Sequence, residues 1–142
     1  MTADAAASRL FVYGTLMLPA VLKAVCDMPF TPRAATLPDY ARYQLRERVY
    51  PAIVPAVGAI TAGLLCEGLD ERLWRRLDRW ESELYTRHTV TVRDAAGALL
   101  DAQTYVLAPA HRHLLSTAPW SPDAFERLHL AAYLARWTRA RT

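Results

Sequence analysis

Cysteine is scarce in this sequence: Cys26 and Cys66 are the only two in 142 residues. They fit no metal-ligand or redox spacing, so buried free thiols are expected. Long apolar runs are missing too. Nothing approaches the roughly 20 residues of a membrane helix, and no membrane partner is expected. The opening "MTADAAASRL" has no basic-then-apolar leader pattern, which points to a cytoplasmic protein with frayed ends at residues 1–8 and 139–142. Glycine-rich signatures are absent: there is no P-loop, no Gly-x-Gly-x-x-Gly after the first strand and no Gly-x-Ser-x-Gly elbow. Lysine is nearly absent, and the net charge of +3 is carried almost wholly by arginine. Those arginines are scattered: "RRLDR" is interrupted by Asp78, and "ARWTRART" is only a short tail. With no interleaving of aromatic and basic residues, a nucleic-acid partner is not expected and the arginines read as solvated surface charge.

What is present is an ordinary globular composition, 53% hydrophobic and 22% charged, long enough for one domain over residues 1–142. Residues 9–13 read as a strand, followed by a helical stretch from Pro19 to Asp27. A strand-like segment covers 34–44. The β-branched stretch "YPAIVPAVGAITAGLLCEG" reads as two strands, near 50–54 and 59–67, broken at Pro55. Helical spacing then takes over: Leu69, Leu73, Trp74, Leu77 and Trp80 recur on one face, and Asp70 is an N-cap candidate. "LYTRHTVTV", the turn "DAAG" and "LLDAQTYVLA" form a hairpin pattern. Ser121 and Pro122 start a last helix, to about Trp137. The order is strand-rich with helices inserted, so the expected fold is α+β, a small mixed β-barrel or sheet flanked by helices.

The charged residue that draws attention is Glu81, at the end of the 70–80 helix. The macrodipole there disfavours a carboxylate, and desolvation by Trp80 and Tyr85 would raise its pKa further. A carboxyl group so tuned can take up and return a proton near neutrality. Glu83, two residues on, is a rival that composition does not separate from it. His88 falls on the strand face of Val90 and Val92, as a core or edge histidine. His111 and His113 form a His-x-His pair in a loop-like stretch with no third ligand, so no metal is expected. In "LFVYGTLM" an apolar strand ends on Tyr13 and Gly14. A positive φ at Gly14 would let the amides of residues 13–16 converge on a carboxylate.

"FVYGTLM", "YPAIVP" and "LDRWESELYTRHTVTV" occur in this order, followed by "AQTYVLA" and "WSPDAF". Over about residues 9–130 the chain resembles the γ-glutamylcyclotransferase-like superfamily, in its AIG2-like or γ-glutamylamine cyclotransferase branch. The resemblance implies that Tyr13, Gly14, Thr15 and Leu16 form the loop holding the γ-glutamyl end of a substrate. It implies that Glu81, not Glu83, is the catalytic general acid/base, and that Tyr85 and Tyr105 line the pocket. Ser82 departs from the pattern, standing where the family has glycine after the glutamate.

The activity so implied converts a small-molecule γ-glutamyl amide into 5-oxoproline and a free amine, with no cofactor. Loops near 44–50 and 108–120 are expected to build the leaving-amine side. A different class of function is also open: a member of the same fold that binds a small acid or a protein without turning it over.

Overall fold

A computed structural model describes residues 6–141, with the side chains of 137–141 excepted. Five strands close into a barrel in the order β1-β3-β2-β4-β5, the last strand returning to the first. They are β1 (Arg9–Val12), β2 (Arg33–Gln44), β3 (Pro51–Glu67), β4 (Tyr85–Asp94) and β5 (Leu99–Leu107). Every pairing is antiparallel except the closing contact of β1 with β5, at Leu10 and Gln103. Four helices stand outside: α1 (Pro19–Cys26), α2 (Glu71–Glu81), α3 (Pro122–Leu128) and α4 (Leu130–Arg141). The fold is α+β. Among the described residues no helix is long and apolar enough to cross a membrane.

The two-residue alternation of a strand explains why β1 is apolar from Leu10 to Val12. Phe11 and Tyr13 point into the barrel with Leu37, Ile53 and Val92. Leu10 and Val12 point outward, against Val21 and Leu22 of α1 and Leu73, Trp74 and Leu77 of α2. Close approach of β1 to β3 requires Gly63, where a Cβ would collide with the Val12 carbonyl and the Phe11 ring. Both thiols are free and buried, and burial pushes Cys26 up to about 11 and Cys66 up to about 12.

Helix α2 follows its sequence pattern. Asp70 Oδ1 accepts the Leu73 amide at 2.9 Å, and Leu73, Trp74 and Leu77 are buried. The hairpin turn does too: Asp94 Oδ1 accepts the Ala96 and Ala98 amides at 3.0 and 2.9 Å.

Several expectations need correction. The stretch Pro51–Glu67 is one 17-residue strand, not two. The break foreseen at Pro55 survives as a bulge, because pairing jumps from Pro38 with Ile60 to Tyr40 with Pro55. Asp39 bridges the gap by accepting the Gly58 amide at 2.9 Å. Residues 6–8 are anchored, not frayed: the Ser8 carbonyl accepts the amides of Gly68 and Leu69, and the Trp74 indole donates to the Ala7 carbonyl. The α4 backbone continues through 139–141, and residues 1–5 and 142 lie outside the described residues. The last helix is divided at His129, whose φ of −129° interrupts the α geometry between α3 and α4. His88 is exposed although it shares a face with Val90 and Val92. The reason is that β2 meets β4 only at Ala35 and Thr36, so nothing covers that end of the face. The loop-like His111 and His113 belong to a 3₁₀ segment, Pro109–Leu114.

The Gly63 contact can be tested directly. Gly63→Ala should destabilise the protein by about 1–3 kcal/mol, the usual cost of overpacking, read as a lower urea midpoint at unchanged slope.

Candidate active site

The end of β1, the end of α2 and the start of β4 meet at one cleft. It encloses about 360 Å³, counting its open mouth, and its lining includes Tyr13, Gly14, Thr15, Leu16, Glu81, Tyr85 and Tyr105. All seven site residues named from the sequence are thus brought together. Glu83 is not among them; it stands exposed on the 3₁₀ turn after α2.

Glu81 is the last residue of α2. Among the described residues no hydrogen bond or ion pair holds its carboxylate. Its charge acts on Tyr13, Tyr85, Tyr105 and Tyr133, so four phenols surround it. Three of their hydroxyls are committed elsewhere. Tyr13 donates to the Tyr105 carbonyl at 2.6 Å, and Tyr85 to the Pro51 carbonyl at 2.7 Å. Tyr105 donates to Asp78 Oδ1 at 2.7 Å, while the Tyr133 phenol lies beside the Thr15 side chain. Rings therefore replace water around the carboxylate without solvating it. Desolvation, with the negative Asp78 one turn earlier as the second cause, pushes Glu81 up to about 8. Burial also holds Tyr13, Tyr85 and Tyr105 well above the ordinary phenol range, so all three donate as neutral hydroxyls.

The loop after β1 is a 3₁₀ turn, Thr15–Met17. Met17 and Leu18 donate back to the Gly14 and Thr15 carbonyls at 2.9 and 3.0 Å. The amides of Thr15 and Leu16 head the turn and have no partner within it, and no side chain caps it. Gly14 does not take the positive φ expected of it; its φ is −122°. Glycine is suited to this position for another reason: a Cβ would lie 3.1 Å from Cγ of Pro51, which also lines the cleft.

Three contributors were not foreseen, and a fourth, Tyr50, was foreseen only as part of the 44–50 loop. Asp78 ties Tyr105 to Arg87, accepting an ion pair from the latter at 3.2 Å, while Arg87 stacks 4.6 Å over the Trp74 ring. Its position three residues before Glu81 was the available signal. Arg42, read as solvated charge, is part-buried and donates to the Tyr13 and Ala62 carbonyls at 2.8 and 3.1 Å, fixing the cleft loop. Tyr50 is the first residue of the "YPAIVP" motif. Tyr133, on α4, carries no signal at all in its neighbourhood.

Loop 108–120 does not line the cleft as expected. It supports the 44–50 loop instead: Arg46 donates to the Leu114 carbonyl at 2.7 Å, and the Trp120 indole to the Val49 carbonyl at 2.8 Å. Only Tyr50, from the supported loop, reaches the site. His111 and His113 do not line it, and among the described residues no group of three or more His, Cys, Asp or Glu is placed to hold a metal.

Ser82 adopts φ 64°, ψ −162°, a region nearly reserved for glycine. Ser82→Gly should relieve about 1–3 kcal/mol of strain. It should also forfeit about 0.4–1 kcal/mol through a freer unfolded chain. A net gain of roughly 1 kcal/mol in denaturant unfolding is expected.

The family model described as "Gamma-glutamyl cyclotransferase, AIG2-like" matches residues 10–122. AIG2-like protein D of Arabidopsis thaliana is 32% identical over 126 residues, covering 87% of this chain and 82% of that one. A solution structure from Arabidopsis thaliana superposes with a TM-score of 0.71 at 24% identity, covering 94% of this chain and 81% of the other. A solved gamma-glutamyl cyclotransferase superposes at 0.67 with 16% identity, over 88% and 83%. A sequence match across most of the chain, on a barrel of the same architecture, makes this protein a member of the AIG2-like gamma-glutamyl cyclotransferase family.

Proposed function

We propose that the protein is a cyclotransferase that converts a γ-glutamyl amide into 5-oxoproline and a free amine, with Glu81 as general acid/base. The observation that carries this reading is a carboxyl group with a pKa near 8, unpartnered, in a cleft beside a turn with open amides. A carboxylate of ordinary pKa is too weak a base for an ammonium group, and one tuned toward neutrality removes much of that mismatch.

In the proposed reaction the substrate's α-carboxylate is held by the amides of Thr15 and Leu16. Glu81 takes a proton from the α-ammonium. The freed amine attacks the side-chain carbonyl carbon of the same molecule and closes a five-membered lactam. Glu81 delivers its proton to the leaving nitrogen as the bond from that carbon breaks. It then takes the second proton from the ring nitrogen and passes it to the released amine, which departs as an ammonium. Protons and bonds balance with no added reactant. The rate advantage lies in holding nucleophile and electrophile of one molecule in reacting order. Tyr85 and Tyr105, anchored through their hydroxyls, act as fixed walls.

Glu81→Gln should keep the fold and lower turnover by on the order of 10²–10⁴. A readout independent of activity follows from its pKa. Folding raises that pKa from 4.5 to about 8, so Glu81 favours the folded state fully below about pH 4.5, and this contribution is lost as pH rises through about 8. Each pH unit across the window costs the parent at most about 1.4 kcal/mol relative to Glu81→Gln. The variant should therefore gain stability over the parent between pH 5 and 8 in urea titrations, and equal turnover in both proteins would remove Glu81 from the mechanism.

The nature of the reaction is tested by the substrate's own amine. An N-acetylated γ-glutamyl amide should yield no product, because its nucleophile is blocked. Free glutamate as the main product by mass spectrometry would indicate hydrolysis. Thermal stabilisation by γ-glutamyl amides without any product would indicate a binding protein.

A further inference from the structure

A second cavity adjoins Glu81, of about 580 Å³ counting its open mouth. It shares Tyr50, Glu81 and Tyr85 with the first, and adds Trp80, Ser82, Leu84 and Tyr133. Glu81 therefore borders both spaces. In the cyclotransferase reading, on which this inference rests, the glutamyl end occupies the cleft beside Thr15 and Leu16. The leaving nitrogen has to lie within reach of Glu81, and whatever that nitrogen carries must extend away from the turn. The second cavity is the space available to it.

The chemistry of that lining is selective. Four aromatic rings and Leu84 supply most of the wall. The hydroxyl of Tyr85 is engaged by the Pro51 carbonyl, so that side chain offers ring surface. The Ser82 hydroxyl accepts the Leu84 amide at 3.4 Å. Among the described residues no lysine or arginine lines the cavity, and Glu81, whose proton the reaction uses, is the only acid there. A leaving amine with its own carboxylate would enter without a counter-ion, at a desolvation cost that rings do not repay. An apolar arm gains surface burial and ring contact instead.

From this we infer that the second cavity is the leaving-amine subsite and that it takes an uncharged arylalkyl group, making arylalkylamides of γ-glutamate the substrate class. Ring faces can also attract a cation, so a polycationic amine is the competing occupant that the test must separate.

The experiment compares kcat/KM for 5-oxoproline formation from four γ-glutamyl amides: the 2-phenylethylamide, the ethylamide, the 4-aminobutylamide and the Nε-lysine amide. The phenylethylamide should exceed the ethylamide by on the order of 10–100-fold, and exceed both charged amides. Trp80→Ala should reduce the phenylethyl-to-ethyl ratio by about fivefold or more. The series in the parent protein stands even where that variant folds poorly. Equal or better turnover of the lysine or aminobutyl amide overturns the inference and leaves the cyclotransferase reading intact, as does a phenylethyl-to-ethyl ratio near one. No 5-oxoproline from any of the four overturns that reading, and this inference with it.

Discussion

A carboxyl group surrounded by phenols that do not solvate it is the constraint on which the site depends. Glu81 lies among Tyr13, Tyr85, Tyr105 and Tyr133, and the hydroxyls of the first three are claimed by a carbonyl or a carboxylate. Were any of those three free to donate to Glu81, the ionised form would be stabilised and the pKa would fall back toward 4.5. The committed hydrogen bonds thus serve two ends at once. They satisfy buried polar atoms, and they deny solvation to the one acid in the cleft.

The fold supplies these commitments from separate parts of the chain. β1 is buried on both faces, so its alternation sends Tyr13 into the barrel, where the Tyr105 carbonyl of β5 receives its hydroxyl. β4 and β5 pair from Tyr85 with Leu107 onward, and this register points Tyr85 and Tyr105 toward α2. Asp78 binds Tyr105 on one oxygen and Arg87 on the other, linking helix to sheet beside the acid it perturbs. Arg42 reaches from β2 to the Tyr13 carbonyl and holds the open turn against the barrel. The strained backbone of Ser82 lies next to Glu81, where α2 must stop and reverse into β4 within three residues.

Much of this was legible in the sequence where the signal was local. The Asp70 cap, the apolar stripe of α2 and the turn at Asp94 depend on neighbours within a few residues, and all formed as their spacing indicates. The motif residues of the cleft were also legible, because each lies at an element boundary marked by an aromatic, a glycine or an acid. Where the expectation failed, a distant partner had intervened. Pro55 looked like a strand break, but Asp39 on the neighbouring strand carries the pairing across it. Gly14 looked like a positive-φ residue, whereas its constraint is the ring of Pro51.

The sequence by itself determined the alternation of β1, the length and buried face of α2, the position of the acid at that helix's end and the family pattern around it. These follow from steric and hydrophobic periodicity, which acts over one or two turns of chain. Tertiary structure decided that Glu81 would be starved of hydrogen bonds, that Arg42 would be a strut instead of surface charge, and that Tyr133 would close the site from α4. Those outcomes depend on which hydroxyl reaches which acceptor across the barrel, and desolvation is a property of a whole enclosure, not of any residue in it.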